Sequence, residues 1–383
     1  MTLILTILTA IGLVLTTLQS ILAALFRGRR FFGEGLLEQA APSASFPPAV
    51  SILKPVCGLE DELEQNLESF ARLRGVDYEV LISIADPNDA ALPIVRRAIE
   101  RFPQFRLIIG GDPQLETGNR KVARLIAAAP HARGAILFIS DANVRIEPDD
   151  LRSTIEAFRN PSVGCVSNLF TGAGAQSLGA TIESLHLLSF VAPGNVLASF
   201  ARVPCVVGKS MAISRTALEV IGGFERFARV LAEDQAIGLA VKEAGFKLLL
   251  SPTVVRNIVV NRTVQRALDR QIRWNKIRYA FSRAMYSSEF LLHPFAWSLL
   301  VAAFGGQALL FLLVGVVRVA QIALLAIATD APLRGRDLLF VPLLDVLQFG
   351  AQFVPYVDNR VTWRGYKARL GPNTELIEIP DAA

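Results

Sequence analysis

This sequence predicts an α/β domain with a mostly parallel sheet, held between apolar helices at both ends of the chain, and three observations carry that reading. Short apolar runs alternate with amphipathic helical stretches between residues 50 and 158. Buried parallel strands read as continuous apolar runs, and a strand-helix-strand order implies crossover connections. Residues 2–26 are almost uninterruptedly apolar, and about 20 such residues cross a hydrocarbon core as a helix. A long apolar tail begins at residue 291, and the 383-residue chain as a whole is 52% hydrophobic, with mean hydropathy +0.42. That is too apolar for an ordinary soluble protein, while the spans are too few for a transporter.

The elements follow in order. The run Thr2 to Phe26 lacks a basic stretch in front and exceeds the apolar core of a signal peptide, which predicts a retained anchor. Arg27, Arg29 and Arg30 come directly after it, so the positive-inside rule puts the next residues in the cytoplasm. Strands are predicted at Val50 to Pro55 (VSILKP), Tyr78 to Ala85 (YEVLISIA), Phe105 to Gly110 (FRLIIG) and Ala135 to Ser140 (AILFIS). Helices are predicted at Glu60 to Arg72, Ala91 to Arg101, Lys121 to Ala129, Asp149 to Phe158 and Gln235 to Ala244. In the tail, Leu291 to Val317 and Leu338 to Val357 are each long enough to span, with Val319 to Ala328 as a third apolar piece and Arg318 between. Arg360, Arg364, Lys367 and Arg369 put the C-terminus in the cytoplasm, so the tail crosses an even number of times. Two spans plus an interfacial or re-entrant piece satisfy this. The expected organisation is an anchor at 1–30, a cytoplasmic catalytic domain at 48–260, interfacial helices at 261–290, membrane segments at 291–357 and a cytoplasmic tail at 358–383.

Charge and cysteine usage narrow the partners. The net charge of +5 comes largely from the clusters flanking the apolar runs, which suit anionic lipid headgroups and point away from nucleic acid. Cys57, Cys165 and Cys205 are odd in number, and only His131, His186 and His293 are available beside them, with no metal-ligand spacing. This argues against a structural zinc or a disulfide framework. Asn261-Arg262-Thr263 matches the glycosylation pattern, which a cytoplasmic location leaves unused.

In parallel sheets ligands bind beyond the carboxyl ends of the strands, and several polar residues fall there. Lys54 closes the first strand. Asp86 ends the second, within Ala-Asp-Pro-Asn-Asp, and serves either an ordinary turn with Pro87 and Asp89 or a hydrogen bond to a nucleoside. Asp141 ends the fourth, as a cap or as the holder of a divalent cation bridging two phosphates. Gly118-Asn119-Arg120-Lys121 opens a helix, and its N–H groups and lysine either face phosphate or only punctuate the helix start. Gly208-Lys209-Ser210-Met211 looks like the end of a Walker A loop, but the upstream glycine is absent, which rejects a P-loop.

Two further features concern proton and charge. Glu233-Asp234 opens a helix, either as a favourable acidic first turn or with Asp234 as a general base. Arg270-Gln271-Ile272-Arg273-Trp274 lies just before the apolar tail. Arginine forks match phosphate oxygens and keep their charge, so Arg270 and Arg273 can stabilise a diphosphate leaving group. The same pattern also describes one face of an amphipathic helix at a membrane surface.

Taken in order, Val50 to Pro55, Asp86, Asn119-Arg120-Lys121, Ser140-Asp141, Gly208 to Met211, Ala232-Glu233-Asp234, Arg270-x-x-Arg273-Trp274 and Trp363-Arg364-Gly365-Tyr366 resemble the ceramide glucosyltransferases, a membrane branch of the inverting GT-A glycosyltransferases. The resemblance runs from about Val50 to the C-terminus. It implies a GT-A fold in which Asp86 contacts the nucleoside and Asp141 lies at the diphosphate and a metal ion. Lys54 and Lys121 line the donor pocket, Asp234 is the base, and Arg270, Arg273 and Trp274 close over the diphosphate. Asp141-Ala142-Asn143 departs from a full Asp-x-Asp, which leaves the ion open between Mn²⁺ and Mg²⁺.

The implied reaction moves a hexose, glucose first, from a UDP-sugar to the primary hydroxyl of ceramide, with inversion at the anomeric carbon. Leu187 to Phe200 and Tyr279 to His293 are candidate paths for the lipid, or plain core and amphipathic packing. The implied location is the cytoplasmic face of a membrane, the inner membrane in a bacterium. Two related alternatives stay open: a hopanoid-type N-acetylglucosaminyltransferase acting on a polyol lipid, and a processive polysaccharide synthase. A nonenzymatic lipid-binding scaffold is the alternative of a different class, and Asp234→Asn separates it from the enzymes.

Overall fold

The computed structural model describes residues 1–26, 32–33, 46–110, 118–363 and 366–379; the basic residues Arg27, Arg29, Arg30 and Arg364 lie outside these. The chain divides into two compact units, one of residues 28–171 and 198–258, the other of residues 1–27, 172–197 and 259–383.

The first unit is built on one sheet. Its strands are β1 (Phe32–Gly33), β2 (Val50–Pro55), β3 (Tyr78–Ile84), β4 (Phe105–Ile109), β5 (Ile136–Ser140), β6 (Val144–Arg145), β7 (Val163–Ala173), β8 (Ser210–Ser214) and β9 (Lys247–Ile258). They run in the order β1-β9-β7-β8-β5-β2-β3-β4, with β6 beside β9. The strands predicted from apolar runs, β2, β3, β4 and β5, form its parallel half. The sheet then continues through antiparallel strands.

One face of this sheet fixes the positions of two helices. Leu53, Leu81, Leu137 and Ile139 pack in one apolar cluster with Val122 and Leu125 of the helix Arg120–Ala128, and with Ile237, Ala240 and Val241 of the helix Glu233–Glu243. Fully burying each such side chain stabilises by about 1.5–3 kcal/mol, so both helices are anchored by their apolar stripes. Their N-terminal turns carry Lys121 and Asp234.

Strand β8 matters for its register. It pairs antiparallel with β5, Ser140 opposite Ser210. The next step outward sets Asp141 against Lys209, where the Asp141 amide donates to the Lys209 carbonyl at 3.3 Å.

The second unit holds the apolar helices. Thr2–Phe26, Ala308–Ala328 and Gly335–Tyr356 are each long and apolar enough to cross a membrane, and Arg283–Leu292 with Pro294–Gly305, bent by 60°, form a broken or re-entrant candidate. This layout differs from a single span over Leu291 to Val317. The helix Pro294–Gly305 is closed by Gly306 at φ 67°, a left-handed cap that glycine adopts without a Cβ penalty.

Arg318 lies inside the helix Ala308–Ala328 instead of dividing two apolar pieces. Its guanidinium binds both carboxylate oxygens of Asp345, at 2.8 and 3.0 Å, and donates to Gln321 at 2.7 Å. A charge paired this way is tolerated within an apolar bundle, which a hydropathy pattern cannot show. Gln321 also donates to Thr17 of the first helix at 2.7 Å. There Gly12 allows close approach, since a Cβ would lie 2.5 Å from the Leu291 carbonyl. Polar groups thus turn inward, while Leu3, Ile4, Val14, Leu309, Val316 and Ile327 face outward.

The helix Leu178–His186 of this unit continues through a π-helical turn, Leu187–Val191. At the other end, β10 (Arg360–Trp363), β11 (Tyr366–Leu370) and β12 (Leu376–Glu378) make a small antiparallel sheet.

Candidate active site

The centre of the first unit's site is an ammonium. Lys121 Nζ sits 3.0 Å from Asp141 Oδ1, 2.8 Å from Glu233 Oε1 and 3.0 Å from the Gly208 carbonyl oxygen. Asn119 puts it there. As N-cap, its Oδ1 accepts from the amides of Lys121 and Val122, while its Nδ2 donates to Glu233 Oε2 and to the carbonyls of Val230 and Leu231. The helix start is thereby tied to the segment that leads into Glu233 and Asp234.

Asp234 is held from two sides. One carboxylate oxygen accepts from the Gly208 amide and the other from the Gln235 amide at 2.8 Å. Gln235 in turn accepts from the Val206 amide at 2.9 Å and donates to the Pro204 carbonyl at 2.7 Å. The loop 204–208 is thus laced to the helix that bears the candidate base. Asp234 stays partly exposed. Burial first, and then the neighbouring Glu233 charge, push its carboxyl up to about 6.

Asp141 has an ammonium on each oxygen: Lys121 on Oδ1 and Lys209 on Oδ2 at 2.8 Å. Burial would raise its carboxyl, but the two lysines outweigh that and hold it well below the usual carboxylate range. Burial would likewise lower Lys121, and Asp141, Glu233 and Asp234 outweigh it and hold the ammonium above its ordinary value.

The remaining predicted residues occupy different positions. Lys54 is wholly buried behind Asp141. Its ammonium donates to the Asp141 carbonyl at 3.0 Å and lies 3.7 Å from the centre of the Phe70 ring. Burial, with the like charge of Lys209 adding to it, pushes Lys54 down to about 7 against the attraction of Asp141. Asp86 is exposed and makes a turn, its Oδ1 accepting from the Asn88 amide at 2.8 Å. Asp89 clamps the loops, accepting from the Gly58 amide at 2.9 Å and the Ala91 amide at 2.8 Å.

Arg270, Arg273 and Trp274 belong to the second unit, on the helix Val264–Phe281. Arg270 and Arg262 both pair with Glu183, which is buried in the helix Leu178–His186. The Arg270 guanidinium also lies over the Trp274 ring, 4.6 Å from its centroid. His186 stacks on Phe190 at 5.7 Å and stands 6.2 Å from Trp274, ring centre to ring centre. Arg273 is partly exposed.

Sequence reasoning gave four of these groups no site role of their own. Glu183 had a signal, a lone carboxylate in an apolar helix, which implies a buried cation. Asn119 had the N-cap pattern. Glu233 and Lys209 had none beyond adjacency to better candidates, because their partners come from distant strands.

A divalent cation takes hard oxygen ligands, and Mg²⁺ is commonly held by one or two carboxylates together with substrate phosphates. Asp141 fits a site of that kind. It is a carboxylate at a strand end with 24% of its side chain accessible, and its Oδ2 is met by the flexible Lys209. Among the described residues, no group of three His, Cys, Asp or Glu side chains converges as a self-sufficient metal cage.

The family model for glycosyl transferase family 21 matches residues 4–376. The chain belongs to this family. Curated relatives include proteins named ceramide glucosyltransferase. Ceramide glucosyltransferase 1 of Caenorhabditis elegans is 29% identical over 239 residues, covering 61% of this chain and 50% of that protein. The ceramide glucosyltransferase of Komagataella phaffii is 23% identical over 314 residues, covering 67% and 61%. The chain thus spans about half the length of the nematode relative. A mannosyltransferase from Pyrobaculum calidifontis, solved with GDP-Man and Mn²⁺, superposes with a TM-score of 0.54 at 20% identity, covering 92% of this chain and 99% of its own. That likeness places the family 21 chain in the GT-A fold.

Proposed function

We propose that this chain is a membrane glycosyltransferase that moves a hexose, glucose, from a UDP-sugar to the primary hydroxyl of ceramide with inversion. The observation that carries this reading is the partly exposed Asp234 carboxylate, pinned by the Gly208 and Gln235 amides beside Lys121 and Asp141. A carboxyl poised near 6 suits a general base at neutral pH.

In this mechanism Asp234 accepts the proton of the acceptor hydroxyl as that oxygen attacks the anomeric carbon. The bond from that carbon to the UDP oxygen breaks on the opposite face, UDP leaves with the electron pair, and configuration inverts. The charge that gathers on the diphosphate calls for fixed cations. Lys121 supplies one. Lys54 positions Asp141 from behind. A divalent cation held at Asp141 would offset the same charge when bound with the donor.

The apolar helices account for the acceptor. A lipid whose tails stay in the bilayer presents its hydroxyl at headgroup level, so the catalytic residues and the anchor share one chain. The catalytic unit faces the cytoplasm in this reading, where UDP-sugars are available and the basic flanks belong.

The test is a panel of UDP-sugars offered with ceramide or with a hopanoid polyol to detergent-purified protein, products read by mass spectrometry. Glucosylceramide as the main product supports the proposal. N-acetylglucosamine on the polyol alone would move the assignment to the hopanoid reading, and polymer without lipid product to a polysaccharide synthase.

A further inference from the structure

Lys209 is outside every role assigned so far, although it pairs with Asp141 within the site. Antiparallel pairing of β8 with β5 sets it directly beside Asp141, so its position is fixed by the sheet. Its ammonium has two side-chain partners, Asp141 Oδ2 at 2.8 Å and Asn143 Oδ1 at 2.9 Å. Asn143 occupies the place of the second carboxylate in an Asp-x-Asp, and it meets this lysine.

The two lysines on Asp141 differ in kind. Lys121 is caged by two carboxylates and a carbonyl, with the nearby Asp234 adding to the attraction. Lys209 is held by one carboxylate and one neutral amide. Among the described residues, the ammoniums of Lys54, Lys121 and Lys209 and the carboxylates of Asp141, Glu233 and Asp234 stand around the site with a formal balance of zero. A diphosphate entering there brings negative charge that this balance does not cover, so a cation must change partners or arrive from solution. A lysine on a flexible stem is the residue that changes partners at least cost.

We propose that Lys209 is a donor-diphosphate residue whose ammonium is stored on Asp141 and transfers to the phosphates when the nucleotide binds. The inference rests on the UDP-sugar reading above. Its consequence is that Lys209 and a divalent cation are alternative partners of Asp141: the lysine's departure bares that carboxylate, which could then hold a cation delivered with the nucleotide.

The experiment is UDP affinity by calorimetry on the detergent-solubilised full chain, in EDTA and in excess Mn²⁺, for the parent, Lys209→Met and Lys209→Arg. The parent binds UDP in EDTA. Lys209→Met weakens that binding by about tenfold or more, the scale of one charged hydrogen bond, and Mn²⁺ restores most of it. Lys209→Arg stays close to the parent. Should Lys209→Met fail to fold, Lys209→Gln replaces it with the same expectation. Parent-like binding by Lys209→Met in EDTA overturns the proposal, as does an equal loss with and without Mn²⁺. A folded parent that binds no UDP in either condition overturns the donor reading itself, and this inference with it.

Discussion

Lys121 and Asp234 grip the same residue from its two sides: the Lys121 ammonium donates to the Gly208 carbonyl at 3.0 Å, and the Asp234 carboxylate accepts from the Gly208 amide. One peptide segment thus sets the spacing between this cation and the candidate base.

This makes Gly208 a steric test. A Cβ there would lie 2.6 Å from Lys121 Nζ and 3.0 Å from Asp234 Cβ. Gly208→Ala therefore displaces the Lys121 ammonium and presses on Asp234, at a stability cost of about 1 kcal/mol, the low end for overpacking. Transfer is expected to fall by up to about a hundredfold, the scale of a 1 Å misplacement. Turnover measured beside thermal unfolding checks this, and an unchanged rate would refute the gripping geometry.

Asp234 sets the pH dependence. The base must be ionised, so kcat/KM for the acceptor rises with pH through about 6 and is flat above it. Stability runs the other way for this group. Its folded value lies above the unfolded one, so its contribution is present in acid and is lost as pH rises through about 6. Asp141 is the opposite case, contributing above the usual carboxylate range and losing that as pH falls through its depressed value. A pH–rate profile with no limb near 6 would remove Asp234 from the base role.

Glu183 is expected to matter for stability. Glu183→Ala removes the buried carboxylate shared by Arg262 and Arg270, a change that costs about 3–5 kcal/mol when a buried ion pair is broken. A lower unfolding temperature and a lower folded yield are the expected result, with Glu183→Gln milder.

Arg318 and Asp345 give a cleaner double-mutant test. Arg318→Leu or Asp345→Leu alone leaves one buried charge among apolar helices. The double variant removes both charges and recovers most of the lost stability. Additive losses in the double variant would show that the pair itself is not what joins these helices.

The parallel half of the sheet was legible because VSILKP, YEVLISI and ILFIS are short, mostly apolar runs between helices, and β2 ends where predicted. β7 and β9 were not. β7 carries Ser167, Asn168 and Thr171, all buried, and Asn168 is satisfied by Ser210 at 2.8 Å and Thr154 at 3.0 Å, partners remote in sequence. β9 contains Pro252 and Arg256, residues that read as breaks in a strand pattern. The site divides the same way. Lys121, Asp141 and Asp234 stand at strand ends and helix starts, positions that topology marks. Lys209 joins them only through strand register, and Glu233, though it opens the same helix as Asp234, meets Lys121 only through tertiary packing, which no local pattern encodes.

The most direct test of the central claim compares the parent protein with Asp234→Asn, offering UDP-glucose and ceramide and reading both product and anomeric configuration by NMR. The account predicts β-glucosylceramide from the parent and a rate at least about a hundredfold lower from the folded variant, the scale of a lost general base. Equal rates from the two proteins, or an α-linked product, would contradict it.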